Sequence, residues 1–158
     1  TTANAVVKLS GMMRYVTTES QQQLVTLEKE IAYITDYIEL QQMRMGNTVQ
    51  LSYTVTGNLT GKKIAPLILI PFIENAFKYG VNPEKPSLVE VVIDIKGDIL
   101  ELKTHNHKVV TKEHTHGESL GVINTESRLN LMYPGNHELV INEDDKEYLV
   151  LLKIKLHD

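Results

Sequence analysis

Asn75, Lys78 and Tyr79 stand at i, i+3 and i+4 in the segment IPFIENAFKYG, residues 70–80. On a helix that spacing puts all three on one face. The face then offers an amide oxygen, an ammonium and a phenol. A hard oxygen donor suits Mg²⁺ and a lysine suits a phosphate, so the chemistry on offer is that of a metal-bound phosphate. Glu74 adds a carboxylate beside Asn75. The apolar run from Ile64 to Ile73, carrying Pro66 and Pro71, leads into the segment and predicts a helix over residues 66–80. Gly80 is expected to end that helix in a left-handed C′ conformation. The residues alone leave a second reading open, a buried helix that starts at the prolines and is dressed with polar groups at its end.

The surrounding elements must present this face. Residues 3–18 read as a helix with Val6, Leu9, Met13 and Val16 spaced by 3, 4 and 3, a narrow seam of coiled-coil type. After a polar break, Thr26 is a candidate N-cap, with Glu28 and Glu30 favourably placed in the first helical turn. Leu27, Ile31, Ile34, Ile38 and Met45 mark a long amphipathic helix ending near Gly46. Residues 50–56 alternate as a strand, and residues 89–95 and 99–104 form a hairpin about Gly97-Asp98. Residues 105–119 read as a polar, His-rich loop. Residues 120–133 are helical and stop at Pro134-Gly135, and residues 139–142 and 147–156 are strands. Locally paired strands with interposed helices predict an α+β, two-layer sandwich. A break near residues 19–24 divides the chain into an N-terminal helix, residues 1–22, and a globular part, residues 23–158.

Composition narrows the function classes. The 158 residues are long enough for one domain with a sizeable core. A net charge of −4 argues against a general nucleic-acid surface. The absence of cysteine removes disulfides, thiolate metal sites and thiol nucleophiles. No apolar run reaches the ~20 residues of a membrane helix, so no membrane contact is expected of this segment. The chain starts Thr-Thr, which suggests an excised fragment.

Four blocks in order carry a family resemblance. LSGMMRYV (9–16), LVTLEKEIAYITDYIELQQMRMG (24–46), PFIENAFKYG (71–80) and SLGVINTESRLNLMYPG (119–135) are together similar to the catalytic region of LytS-type sensor histidine kinases. These are members of the GHKL ATPase superfamily, and PFIENAFKYG resembles its N box. The resemblance covers nearly the whole chain. It implies the GHKL, or Bergerat, fold: a mixed, mostly antiparallel sheet with helices on one face, plus the N-terminal helix. It implies a protein histidine kinase that binds ATP and Mg²⁺ and passes the γ-phosphoryl to a His outside this fragment. The alternative is a degenerate GHKL module with a regulatory or interaction role. Implied partners are ATP, a response regulator of a two-component system and, for the full-length protein, a second copy. The implied location is the cytoplasmic portion of a membrane-anchored bacterial sensor.

The resemblance also assigns residues. Asn75 would ligate Mg²⁺, Lys78 would meet an α- or β-phosphate oxygen, and Tyr79 a phosphate or ribose group. Glu74 would be the catalytic carboxylate, bound to the Mg²⁺ shell through water or positioning the γ-phosphate. Gly121, Val122 and Asn124 resemble the start of the G2 box, where backbone N–H groups at a helix start hold phosphate. Arg128, one turn on, is expected to be a structural ion-pair partner. Asn106 stands where the family carries the Asp that accepts the adenine amino group. The departures are informative. ATPases of the superfamily place a water-activating Glu four residues before the Asn, and Pro71 stands there. Transfer to another group therefore fits better than hydrolysis. Ser119 replaces the first glycine of the family's Gly-x-Gly, and residues 103–108 contain neither Asp nor Gly. No histidine lies in the family's phosphoacceptor context, so residues 1–18 resemble the tail of a dimerisation and phosphotransfer hairpin. His105, His107, His114 and His116 form two His-x-His pairs, a pattern able to bind Zn²⁺ or Ni²⁺ when on a strand. The other reading is a solvated, His-rich lid.

Overall fold

The computed structural model describes residues 2–46, 49–81, 86–108 and 120–158. In chain order the elements are α1 (Thr2–Thr17), β1 (Val25–Thr26), α2 (Leu27–Met45), β2 (Val49–Thr56), β3 (Lys63–Ile64), α3 (Ile70–Gly80), β4 (Ser87–Lys96), β5 (Ile99–His107), α4 (Leu120–Met132), β6 (His137–Glu143) and β7 (Glu147–Lys155). Five strands form one sheet in the order β2-β4-β5-β7-β6. β2 runs parallel to β4, and every other pair is antiparallel. This is the expected mixed, mostly antiparallel sheet. A two-strand pair, β1 with β3, lies apart from it and is not legible in the sequence.

Strict alternation decides which face of the sheet is covered. Val89, Val91, Ile93 and Ile95 of β4, Leu100 and Leu102 of β5, and Val150, Leu152 and Ile154 of β7 are buried under the helices. Between them Glu90, Asp94, Glu101, Lys103 and Lys153 point to the opposite, wetter face. The helical layer supplies Leu27, Ile31, Ile34 and Ile38 from α2, Phe72, Ile73, Ala76 and Phe77 from α3, and Val122 and Leu129 from α4. Burying a side chain of this size contributes about 1.5–3 kcal/mol relative to leaving it in water.

α2 starts as the sequence dictates: the Thr26 side chain accepts from the Lys29 N–H and satisfies one unpaired donor of the first turn. α3 differs from expectation. It begins at Ile70, not at residue 66. In a helix running through residue 66 the Pro71 ring would clash with the Leu67 carbonyl, so Pro71 must fall in the first turn. Leu67 instead takes φ 59°, the only positive φ at a non-glycine residue among those described. Gly80 does not end the helix in a left-handed conformation; it is the last helical residue and its φ is not positive.

α1 packs along α2. Met12 and Tyr15 are buried, and Tyr15 stacks on Tyr33 at 5.0 Å. Lys8 pairs with Glu39 and with Asp36. The expected seam lies outward, with Val6 58% and Met13 60% exposed.

Candidate functional site

The end of α3 and the end of β5 meet at Gly80 and Asn106. A Cβ at Gly80 would lie 2.8 Å from the Asn106 Cβ and 2.9 Å from Val89 Cγ2. Glycine is therefore required here by close approach and not by backbone conformation. β5 continues three residues past its expected end, to His107, because the ladder with β7 continues through Asn106↔Tyr148 and His107↔Glu147. Asn106 consequently lies on a strand and points inward, fully buried. Its Nδ2 donates to the His107 carbonyl at 3.3 Å. Its Oδ1 has no partner among the described residues, and neither does Thr104 Oγ1, two residues earlier on the same face. A buried acceptor left unpaired costs about 1–3 kcal/mol. Two such acceptors on one inward face match a ligand that brings amine donors, and an adenine amino group is one.

On α3 the expected trio keeps its helical spacing in graded environments. Asn75 is buried, Tyr79 is half-buried and Lys78 is exposed. The Tyr79 ring lies 6.3 Å from that of Tyr148 on β7, and the Lys78 ammonium sits 5.3 Å from the centre of the Tyr79 ring. Tyr79 is thus on the flank of α3 nearest the β5–β7 end that carries Asn106. Glu74 occupies a different flank. Its charge raises Tyr33 and Tyr37 on α2, in each case after the larger effect of burial. Glu74 reaches solvent, yet desolvation still pushes its carboxyl up. Asn75 and Glu74 each carry hard oxygen, the kind Mg²⁺ takes.

Gly121 and Val122 lie in the first turn of α4, the helix end at which backbone N–H groups point outward. Asn124 is exposed one residue beyond that turn, and the Val122 side chain is in the core. α4 packs against α3. His114, His116 and Ser119 fall outside the described residues. Arg128 is structural, as expected, but its partners are carbonyls: Nη2 donates to Pro66 O at 2.9 Å and Nη1 to Leu67 O at 3.3 Å.

The sequence reading missed the polar network that holds the entry to α3. Glu30 is the expected first-turn acid of α2, and it is fully buried. Tyr15 Oη donates to one carboxylate oxygen, and the Leu67 N–H donates to the other at 2.8 Å. The Tyr133 hydroxyl accepts from the Ala65 N–H at 2.9 Å. Residues 65–67 are thus gripped from α2 by Glu30, itself held by Tyr15 of α1, from α4 by Arg128, and by Tyr133 just beyond α4. This over-determination maintains the unfavourable φ of Leu67. Burial pushes the Glu30 carboxyl up from 4.5 to about 7, while Tyr15, the Leu67 N–H and the Arg128 charge pull it down. The available signal was position: Glu30 falls on the apolar stripe of Leu27, Ile31, Ile34 and Ile38.

Known proteins resemble this chain in sequence and in fold. Residues 1–49 match the histidine kinase family model. An uncharacterised sensor-like histidine kinase of Staphylococcus epidermidis is 28% identical over 104 residues, 66% of this chain and 20% of that protein. The sensor protein LytS of Staphylococcus epidermidis is 24% identical over 103 residues, 65% of this chain and 17% of its own length. The chain thus spans a fifth or less of these two relatives. Among solved structures, full-length ShkA in complex with AMPPNP superposes with a TM-score of 0.58 at 15% identity, covering 96% of this chain and 35% of ShkA. Histidine kinase ThkA in complex with the response regulator TrrA gives 0.56 at 10% identity, covering 96% of this chain and 48% of ThkA. The chain shares the fold of these two histidine kinases. In sequence the chain is similar to sensor histidine kinases, LytS among them. No helix of the described residues is long and apolar enough to cross a membrane.

Proposed function

We propose that this chain is the ATP-binding catalytic domain of a sensor histidine kinase. Asn106 accepts the adenine amino group, with Thr104 beside it. Asn75 holds Mg²⁺, and Lys78 and Tyr79 meet the phosphates or ribose. Backbone N–H groups at Gly121 and Val122, with Asn124, hold phosphate at the start of α4. Glu74 acts on the γ-phosphate end, through the Mg²⁺ shell. The nucleotide supplies a γ-phosphoryl group, and its acceptor is a histidine outside residues 1–158. By analogy with the ThkA–TrrA complex, the phosphoryl group then goes to a response regulator. In the full-length protein, a homodimer anchored at a membrane, this domain lies on the cytoplasmic side. Residues 1–22 belong to the dimerisation and phosphotransfer region, and residues 23–158 are the catalytic domain.

The observation that carries this reading is Asn106 Oδ1, buried where α3 meets β5 and without a partner among the described residues. A second reading has its own support. An amide accepts more weakly than a carboxylate, and residues 103–108 contain no carboxylate. A GHKL module with a purely regulatory role would tolerate that loss. Calorimetric titration with AMPPNP, with and without Mg²⁺, separates the two. The kinase reading expects Mg²⁺-dependent binding, micromolar or weaker, above about −8 kcal/mol. Asn75→Ala should remove the Mg²⁺ dependence. No heat at any accessible nucleotide concentration would favour the regulatory module.

A further inference from the structure

The outer face of the sheet, behind Asn106, carries a second set of chemically capable groups. β5 alternates, so His105 and His107 leave it on the side opposite Thr104 and Asn106. β7 brings Glu147 directly across from His107. One Glu147 oxygen, Oε1, lies 3.5 Å from His105 Nε2 and 3.6 Å from His107 Nε2. All three ligand atoms fall within 4.8 Å of one another. The two imidazoles meet edge to face at 84°, converging on the carboxylate and not stacking.

We propose that His105, His107 and Glu147 form a binding site for Zn²⁺ or a related borderline transition ion. The separations are longer than hydrogen bonds from a ring N–H to oxygen. They match the ligand-to-ligand edge of a tetrahedron whose metal bonds are 2.0–2.1 Å long, about 3.4 Å. Two imidazoles and one carboxylate form a donor set suited to Zn²⁺, Ni²⁺ or Cu²⁺, whereas Mg²⁺ prefers all-oxygen sites. The neighbouring cations do not compete for the carboxylate: Lys108 pairs with Glu143, and Lys103 with Glu90 at 3.1 Å. Three protein ligands leave a fourth position for water. An ion there would bridge the ends of β5 and β7, the two strands that present Asn106 and Tyr148 on the inner face.

The test is titration of the 158-residue chain, without a histidine tag, by ZnCl₂ in buffer containing Mg²⁺. One ion should bind per chain. Co²⁺ in its place should give the intense visible absorption of a tetrahedral centre. His107→Ala and Glu147→Gln should each weaken Zn²⁺ at least about tenfold, since even ligand-supporting residues cost 10–100-fold. All three residues are on the open face, and equal thermal unfolding of parent and variants in EDTA checks that they fold alike. His114→Ala/His116→Ala should bind as the parent does. Binding that survives His107→Ala and Glu147→Gln, or that vanishes only with His114 and His116, would overturn the proposal. So would the absence of Zn²⁺ binding by the parent.

Discussion

Glu30→Ala should be one of the most damaging single substitutions in the chain, although Glu30 touches no expected ligand. It deletes the acceptor for both Tyr15 Oη and the Leu67 N–H in a fully buried place. Each unpaired buried donor costs about 1–3 kcal/mol, so the loss should be roughly 4 kcal/mol. With a urea m-value of about 2 kcal/mol/M, the unfolding midpoint should fall by about 2 M. Titration supplies an independent signature. The folded chain keeps a proton on Glu30 that the unfolded chain releases above 4.5. Between 4.5 and about 7 the folded state binds more protons, so stability falls as pH rises and levels off above that window. The gap from 4.5 to about 7 corresponds to roughly 3 kcal/mol. Glu30→Gln retains an oxygen for Leu67 and a polar head for Tyr15 but cannot titrate. Parent and Glu30→Gln should therefore diverge in urea stability as pH rises from 5 to 7. Parallel pH profiles for the two, or a Glu30→Ala midpoint equal to that of the parent, would refute the reasoning.

Gly80→Ala should reduce both stability and nucleotide affinity, because its Cβ would press on Asn106 and Val89. Overpacking of this kind costs about 1–3 kcal/mol, readable in thermal unfolding and in AMPPNP titration together. Thr26→Ala should cost about 1 kcal/mol through loss of the cap on α2, with nucleotide affinity unchanged. Incubation with radiolabelled ATP and Mg²⁺ should leave the chain unlabelled, because the proposed acceptor histidine lies outside residues 1–158. Acid-labile label on any of its six histidines would contradict this.

Periodic features were the most legible in the sequence. The apolar stripe and Thr26 cap of α2, the alternation of β4 and the glycine turn of the β4–β5 hairpin are local patterns, and the fold obeys them. The apolar seam of α1 misled, because Val6, Leu9, Met13 and Val16 share a face that α2 does not cover. The face that packs is marked by Met12 and Tyr15. Gly80 looks like a helix terminator in the sequence, because local sequence holds no information about what passes 2.8 Å from its absent Cβ. Asn106 stands out in the sequence by its type, but its inward orientation depends on strand pairing with β7, a non-local fact. Glu30 shows the same limit. A carboxylate in a first helical turn usually faces water and favours the helix dipole, and only the tertiary placement of Tyr15 and Leu67 makes it a buried anchor. The parallel placement of β2 beside β4 likewise requires a crossover that the strand patterns do not specify.

The central claim is that a nucleotide lies against the inner ends of α3 and β5. Amide chemical-shift mapping of the ¹⁵N-labelled chain tests it most directly, with AMPPNP and Mg²⁺ added to the parent. The account predicts that the largest perturbations cluster at residues 75–80, 104–106 and 120–124. It also predicts that those near Asn75 diminish when Mg²⁺ is withheld. Unchanged spectra at saturating nucleotide, or perturbations confined to the outer face around Glu90, Lys103 and Lys153, would contradict it.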